Sequence, residues 1–146
     1  MGSNQIIFSE ANIQDIKVGM TESYSKTITD DDVKKYSELS GDFNPVHVDD
    51  EYARKSRFGK KIAHGLFSAG LFSAIFGTKL PGIGCVYVSQ NLNFKRPVYI
   101  DDTVVATVTV LEVDNESKKI KFKTECKVEK KLVIDGSAVI FIPGKK

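Results

Sequence analysis

Residues 65–80 read GLFSAGLFSAIFGTKL, and this segment is apolar on nearly every side of the helix that it predicts. Up to residue 77, only alanine, glycine and serine separate its large apolar side chains. A helix without a polar face must be buried on all sides, so we expect this segment at the centre of the domain. The run Pro81-Gly82-Ile83-Gly84 predicts where the helix ends.

The chain on either side of this helix has the pattern of β-strands. Residues 19–28 form a first predicted strand with imperfect alternation, and strand patterns continue after the helix almost to the C-terminus. Several strands wrapped around one buried helix predict an α+β domain, and 146 residues with 41% hydrophobic content suffice for one core. The later predicted strands are Cys85–Phe94, Val104–Val113, Ile120–Glu129 and Val133–Ile142, with a hairpin turn at Asp114-Asn115-Glu116-Ser117.

Two short helices are predicted between the first strand and the central helix. Thr29 is a typical N-cap, and the three aspartates after it favour the first turn of a helix. Gly41 predicts the end of that helix, and Asp49 predicts the cap of a second one over residues 50–55. The loop between them is therefore held at both ends, which suits a small functional site.

This loop reads GDFNPVH at residues 41–47 and brings together Asp42 and one of only two histidines, His47. Pro45 lies between them, so the pair cannot lie on one continuous helix. A carboxylate and an imidazole held together can bind and activate one water molecule, because each offers a lone pair and each can return a proton near neutral pH. The alternative from the loop alone is an Asx-type turn at Asp42 or Asn44 beside a hydrogen-bonded histidine.

A longer pattern surrounds the pair and comprises Tyr36, Ser40, Gly41, Asp42, Asn44, Pro45 and His47. It resembles the hydratase 2 motif of the MaoC-like (R)-specific enoyl-CoA hydratases, an aromatic residue followed by Ser-Gly-Asp-x-Asn-Pro-x-His. The resemblance continues through Ala63-His64-Gly65-Leu66, Phe94-Lys95-Arg96-Pro97-Val98 and Asp101-Asp102-Thr103-Val104. It covers the chain from about Val18 to the C-terminus.

The resemblance implies a single-domain hot-dog fold over residues 1–146, in which an antiparallel sheet wraps around a long central helix. A short helical overhang then carries the motif, and residues 1–12 form a loosely ordered N-terminal extension. The implied reaction is the reversible syn hydration of trans-2-enoyl-CoA to (3R)-3-hydroxyacyl-CoA in fatty-acid or hydroxyalkanoate metabolism. The coenzyme A thioester is the substrate carrier in this reaction, and no cofactor is expected. No metal is expected either, since the two histidines and two cysteines lack zinc-ligand spacing.

The resemblance also implies the roles of individual residues. Asp42 and His47 activate the water, and the Gly65 N–H at the start of the central helix stabilises the thioester oxygen. Asn44, Ser40 and Gly41 are expected to support the loop. His64 is expected to be structural, and Gly65 alone could equally be the small residue needed where helix and sheet meet. Many members have a serine where this chain has Gly70, which leaves the acyl-length preference open.

Three other functions fit the same pattern. The nearest is a (3R)-hydroxyacyl dehydratase that works on an acyl carrier protein thioester, which is the same chemistry in reverse on a different carrier. A hot-dog acyl-CoA thioesterase would also activate water with a carboxylate but would attack the carbonyl carbon. A non-catalytic acyl-CoA sensor would have no need of Asp42 and His47.

Composition narrows the partners and the location. A net charge of +2 and a pI near 8.4 are not typical of a nucleic-acid-binding protein. The longest apolar run, Leu66 to Phe76, is far shorter than the roughly 20 residues needed to span a bilayer. Without a signal-peptide pattern, and with Cys85 and Cys126 expected as buried reduced thiols, a cytoplasmic protein is predicted. Open sheet edges need covering, and in the family that the chain resembles two such units pair into a continuous sheet, so the resemblance implies a homodimer with two sites.

Overall fold

The computed structural model describes residues 8–144, in which every predicted helix and strand is present close to its predicted bounds. A short 3-10 helix at Ile13–Asp15 precedes them. The helices are α1 (Asp30–Ser40), α2 (Pro45–Val48), α3 (Asp50–Lys55) and α4 (Gly65–Thr78). The strands are β1 (Thr21–Thr27), β2 (Val86–Phe94), β3 (Thr103–Asp114), β4 (Lys119–Val128) and β5 (Lys131–Phe141). Neither α2 nor the 3-10 helix was predicted.

The strands form one antiparallel sheet in the order β1-β3-β4-β5-β2, with β1 and β2 at its edges. The hairpin between β3 and β4 turns where it was predicted. Asp114 Oδ1 accepts hydrogen bonds from the backbone N–H groups of Glu116 at 3.0 Å and Ser117 at 3.2 Å. Both hydrogen bonds lower the pKa of the Asp114 carboxyl and favour its ionised form in the turn, and the bond from Ser117 has the larger effect.

α4 packs on the sheet and contacts all five strands, which confirms its predicted central position. The side chains of Phe72, Ile75 and Phe76 are buried, and the Phe76 ring lies 4.8 Å from that of Phe122 on β4. Burying side chains of this size contributes roughly 1.5–3 kcal/mol each. This helix therefore supplies a large part of the apolar core.

The opposite face of α4 is exposed in the single chain, so the prediction that it is buried on every side is wrong for one copy. Leu66 is 61% exposed. The exposed face also includes Gly70, Ser73, Ala74 and Gly77. Four of these five residues are small and uncharged, so the segment has an apolar pattern all round although the sheet covers only one side of it.

α1 begins and ends at the residues that predicted it. Thr29 Oγ1 accepts a hydrogen bond from the Asp32 N–H at 3.1 Å, and the Asp32 carboxylate accepts one from the Thr29 N–H at 3.0 Å. This reciprocal pair is a capping box. At the other end Gly41 has φ +82°, a left-handed conformation that glycine adopts without steric penalty. The chain therefore leaves α1 in a defined direction towards Asp42.

The N-terminal extension predicted for residues 1–12 is described from residue 8 onwards, and residues 1–7 lie outside the described range. Ser9 donates a backbone hydrogen bond to the Thr78 carbonyl at 2.8 Å and accepts one from the Ile83 N–H at 2.7 Å. Ala11 donates to the Ile83 carbonyl at 2.8 Å. Residues 9–11 are thus held against the end of α4.

Both cysteines are free thiols, but only one is fully buried. Burial raises the pKa of the Cys126 thiol to about 12. Cys85 is half-buried rather than buried, and desolvation raises the pKa of its thiol as well. In the described part of the chain no helix is long and apolar enough to span a membrane.

Candidate active site

The loop after α1 fixes the backbone of Asp42 by local hydrogen bonds. Ser40 Oγ donates to the Tyr36 carbonyl at 2.7 Å and accepts from the Asp42 N–H at 3.1 Å. Asp42 Oδ1 then accepts from the Asn44 N–H at 3.1 Å, while the residue itself remains exposed. Ser40 and Asn44 therefore order this loop, which is the support that the sequence predicted for them.

His47 lies on α2, a single helical turn with strong local start signals. Asn44 Oδ1 accepts from the Val46 N–H at 3.2 Å, and Pro45 occupies the first helical position. An asparagine cap followed by proline favours such a start, so the signal for α2 was present in the sequence. His47 is 8% exposed, and the turn places its imidazole against Ile62 in the loop between α3 and α4.

The hydrogen bonding of His47 selects its reactive nitrogen. Its Nδ1 lies 2.7 Å from the Ile62 carbonyl oxygen. Because a carbonyl can only accept, Nδ1 carries a hydrogen and the neutral ring presents its lone pair at Nε2. No described residue hydrogen-bonds to that Nε2, so it is available as a proton acceptor.

Asp42 and His47 lie close together in the structure. A carboxylate oxygen of Asp42 lies within 4.8 Å of a ring nitrogen of His47. A water with two hydrogen bonds of ordinary length joins acceptors about 4.5 Å apart. The structure therefore brings together the two residues that the motif predicted, no farther apart than about the span of one bridging water.

Gly65 is the first residue of α4, where backbone N–H groups have no partner within the helix. Its N–H donates no hydrogen bond to any residue in the described range. A Cβ on this residue would lie 2.6 Å from Phe94 Cε1, so the small side chain lets the Phe94 ring approach. Both readings of Gly65 from the sequence, the free N–H and the close contact between helix and sheet, are thus compatible with its geometry.

A cavity of about 330 Å³ opens beside His47 and Gly65. Asp42 is not among the described residues that line it, although it lies next to His47, which is. Three cationic side chains lie on the lining and were not assigned a place in the site from the sequence: Arg57, Lys95 and Arg96. The remaining residues form a largely apolar wall: Phe58, Ile62, Ala63, Phe94, Pro97, Val98 and Ile134.

The second histidine belongs to the same cluster. His64 is 2% exposed, and its ring stacks on that of His47 with centroids 3.9 Å apart. Its Nε2 lies 3.1 Å from the Asp42 carbonyl oxygen and 3.1 Å from Ser37 Oγ. Desolvation lowers the pKa of this imidazole and keeps the ring neutral. His64 was predicted to be structural, and the structure places its side chain inside the site, in contact with Asp42 and His47.

The three clustered residues are spaced as potential metal ligands, but their stacking and hydrogen bonds differ from those of an assembled zinc site. A carboxylate oxygen of Asp42 and one ring nitrogen from each histidine lie within 4.8 Å of one another. Zinc would need lone pairs that converge at about 2.0–2.1 Å. The two imidazole planes are only 28° apart and stacked, so their in-plane lone pairs run side by side. One nitrogen of each ring also already faces a carbonyl oxygen.

Comparison with known proteins shows to which family this chain belongs. A family model described as "MaoC like domain" matches residues 12–133. An (R)-specific enoyl-CoA hydratase of Rhodospirillum rubrum is 48% identical over 90% of this chain and 92% of that protein. A 3-hydroxybutyryl-CoA dehydratase of Methylorubrum extorquens is 44% identical over 91% of this chain and 85% of that protein.

Solved structures agree with the fold. The (R)-hydratase from A. caviae involved in PHA biosynthesis has a TM-score of 0.87 and 35% identity, with 89% of this chain and 99% of that chain covered. An R-hydratase from Pseudomonas aeruginosa also has a TM-score of 0.87 and 35% identity, covering 93% and 88% of the two chains. The predicted α+β hot-dog fold is confirmed. The chain belongs to the family of MaoC-like domains.

Proposed function

We propose that the chain is an (R)-specific enoyl-CoA hydratase, which adds water to trans-2-enoyl-CoA to give (3R)-3-hydroxyacyl-CoA and catalyses the reverse dehydration. The observation that carries this proposal is the meeting of Asp42, His47 and a free Gly65 N–H beside one largely apolar cavity. The hydratase and dehydratase relatives support it, since both names describe one reversible reaction.

Gly65 supplies the electrophilic assistance in this mechanism. The thioester oxygen accepts a hydrogen bond from the Gly65 N–H, at the positive end of the α4 dipole. Negative charge that gathers on this oxygen as water adds is then stabilised by a fixed donor. The carbonyl withdraws electrons from the double bond and makes C3 electrophilic, so the reaction needs neither a redox group nor a metal.

Asp42 and His47 hold and deprotonate the water. The water oxygen bonds to C3 while one of its protons passes to the pair, and the double-bond electrons move to form the enolate of the thioester. A proton from the pair then reaches C2 on the same face, so that addition is syn and the enzyme regains its starting state. The lone pair at His47 Nε2 and the second oxygen of Asp42, which has no hydrogen-bond partner among the described residues, are the two acceptors available for this proton.

The cavity has both apolar and cationic lining residues, which suit the two ends of the substrate. Its apolar wall, which includes Ile62, Val98 and Ile134, suits an acyl chain. Arg57, Lys95 and Arg96 suit the phosphates of the carrier, because guanidinium and ammonium groups form charge-assisted hydrogen bonds with them. The proposed location is the cytoplasm, where two free cysteines are expected.

A dehydratase acting on acyl carrier protein thioesters is the second candidate. A 3-hydroxyacyl-[acyl-carrier-protein] dehydratase of Arabidopsis thaliana mitochondria is 36% identical over 88% of this chain. The same cations would also suit an acidic carrier protein, so charge alone does not separate the two carriers. Matched enoyl groups on both carriers, assayed with one enzyme preparation, distinguish them.

We propose a homodimer that pairs through β2. Val86, Val88 and Phe94 on this edge strand are 47%, 49% and 54% exposed. The other edge strand, β1, instead carries hydroxyl side chains such as Ser23 and Thr27, which bond across to β3. An exposed apolar edge is a template for pairing, so a second copy on β2 would continue the sheet and cover it. A Val88→Lys variant should shift the solution mass towards a monomer, and a wild-type protein that is fully active as a monomer would contradict this proposal.

The function is tested by following loss of the conjugated-thioester absorbance with enoyl-CoAs of about four to twelve acyl carbons. Chiral analysis should identify the (3R) product. Release of free thiol without hydration would instead indicate a thioesterase. Tight binding of acyl-CoA without turnover would indicate a sensor, and an (S) product would contradict the proposal.

A further inference from the structure

We infer that His64 is a positioning residue that couples the water-activating pair to the oxyanion donor, an inference that rests on the proposed hydratase function. The residue touches three parts of the site. It hydrogen-bonds the main chain of Asp42, it stacks on His47, and it directly precedes Gly65 in the chain. Asn44 also hydrogen-bonds both members of the pair, but through its main chain, so its side chain does not set the tilt of the His47 ring.

The first step concerns the proton on His64. The Asp42 carbonyl oxygen can only accept, so the 3.1 Å contact requires a hydrogen on Nε2. The buried Ser37 Oγ lies at the same distance from this nitrogen. His64 Nδ1 has no partner among the described residues, as expected for the lone-pair nitrogen of a neutral ring. The hydrogen bond thus fixes the backbone of Asp42, and the second carboxylate oxygen, which no described residue hydrogen-bonds, stays available for water.

The second step concerns the ring. His64 lies between Tyr36, with ring centroids 4.6 Å apart, and His47 at 3.9 Å. The titratable groups that face it are therefore Tyr36 from α1, Asp42 from the loop and His47 from α2. A neutral ring in this stack sets the tilt of His47 and excludes water from one of its faces. A charged ring would repel the imidazolium that forms when His47 takes a proton.

The third step concerns the N-terminus of α4. His64 is the N-cap residue of this helix, but its side chain makes no capping hydrogen bond. Serine, threonine, aspartate or asparagine would stabilise this position by about 1 kcal/mol. The side chain is directed to Asp42 and His47 instead. Any movement of the start of α4, and with it of the Gly65 N–H, is thereby coupled to the pair.

Two variants separate the functions of this side chain. His64→Phe keeps the ring but loses the donor to Asp42, and His64→Gln keeps a donor but loses the ring. We expect His64→Phe to lower kcat by about 10- to 100-fold, the usual effect of a misplaced catalytic group, without moving the pH profile. We expect His64→Gln to lower the share of the Nδ1–H tautomer of His47, because the ring loses the stacking contact that sets its tilt towards the Ile62 carbonyl.

NMR makes the second expectation independent of enzyme activity. The chain has two histidines, so each His64 variant leaves one imidazole, whose ¹⁵N shifts report its tautomer. Val108→Ala, a buried change on β3 outside the site, is the control for lost stability and should leave the His47 tautomer unchanged. If the wild-type protein shows no hydratase activity, the proposed function fails while the NMR measurement still tests the role of His64.

The outcomes are decisive in either direction. Turnover within about twofold of wild type in both variants, or the wild-type His47 tautomer in His64→Gln, overturns the inference. If both variants fail to fold by circular dichroism, the wild-type protein decides the question through the ¹⁵N shifts of His64. A neutral ring with its hydrogen on Nε2 is expected, and a hydrogen on Nδ1 overturns the inference.

Discussion

Replacing Gly65 by proline deletes the one N–H that the mechanism assigns to the thioester oxygen. The backbone tolerates this change, because Gly65 occupies the first position of α4 and proline is favoured there. The preceding residue must be extended before a proline. His64 already has φ −64° and ψ 132° and meets this requirement. The helix should therefore form, and the loss should fall on the substrate rather than on the fold.

Gly65→Ala is the matched control. A Cβ on either substituted residue lies 2.6 Å from Phe94 Cε1 and must displace the Phe94 ring. The alanine variant keeps the N–H and shares this steric cost. The proline variant should therefore have a kcat about 10²–10³-fold below that of the alanine variant, which corresponds to about 2.7–4 kcal/mol of lost transition-state stabilisation.

Steady-state hydration of one enoyl-CoA, at equal concentrations of folded protein, measures this ratio. Circular dichroism and solution mass verify that both variants fold and assemble as the wild type does. The proline ring also occupies the space in front of the former Gly65 N–H. If that N–H faces the thioester, the substitution must therefore affect turnover. Equal turnover in the two variants would show that the Gly65 N–H does not face the substrate and would refute the assignment.

Three further outcomes are expected. Asp42→Asn and His47→Gln should each lower kcat by about 10²–10⁴-fold, and the double variant should be little worse than the poorer single one, because both groups act on one water. Near-normal turnover in folded Asp42→Asn would contradict the mechanism. Exhaustive chelation should leave the hydration rate unchanged, and restoration of a lost rate by a divalent ion would show a metal requirement. Burial lowers the pKa of His64, so the unfolded chain binds more protons below about pH 6.5. The contribution of His64 to the stability of the fold should thus be complete above that pH and be lost as the pH drops through the lowered pKa of His64. Over the same pH range, the decrease of Tm should be smaller in His64→Phe than in the wild type.

The helices, strands and main turns could be predicted because their signals are local. Thr29 and Asp32 cap α1 through each other, and Gly41 ends it with a backbone conformation that few other residues adopt. Asp114 orders its own hairpin turn. Each of these signals acts over a few residues and needs no knowledge of the rest of the chain.

The parts of the site that were missed depend on contacts between distant segments. Lys95 and Arg96 reach the same cavity as Arg57 only because the chain after β2 returns past the loop between α3 and α4. The stacking of His64 on His47 likewise depends on how α2 lies against the start of α4. The exposed face of α4 has small residues that leave it compatible with either burial or exposure. No periodicity distinguishes these alternatives.

The active-site geometry depends on main-chain acceptors as much as on the motif side chains. The Ile62 carbonyl fixes the tautomer of His47, and the Asp42 carbonyl binds His64. Every residue type has such a carbonyl, so the sequence at these positions carries no signal of the role. The motif therefore points to the proposed acid–base pair, while the spacing of its two members depends on where α2 and α4 meet. This is why a pattern of seven residues could predict which side chains meet in the candidate site, although the stacked histidines and their carbonyl partners became evident only in the fold.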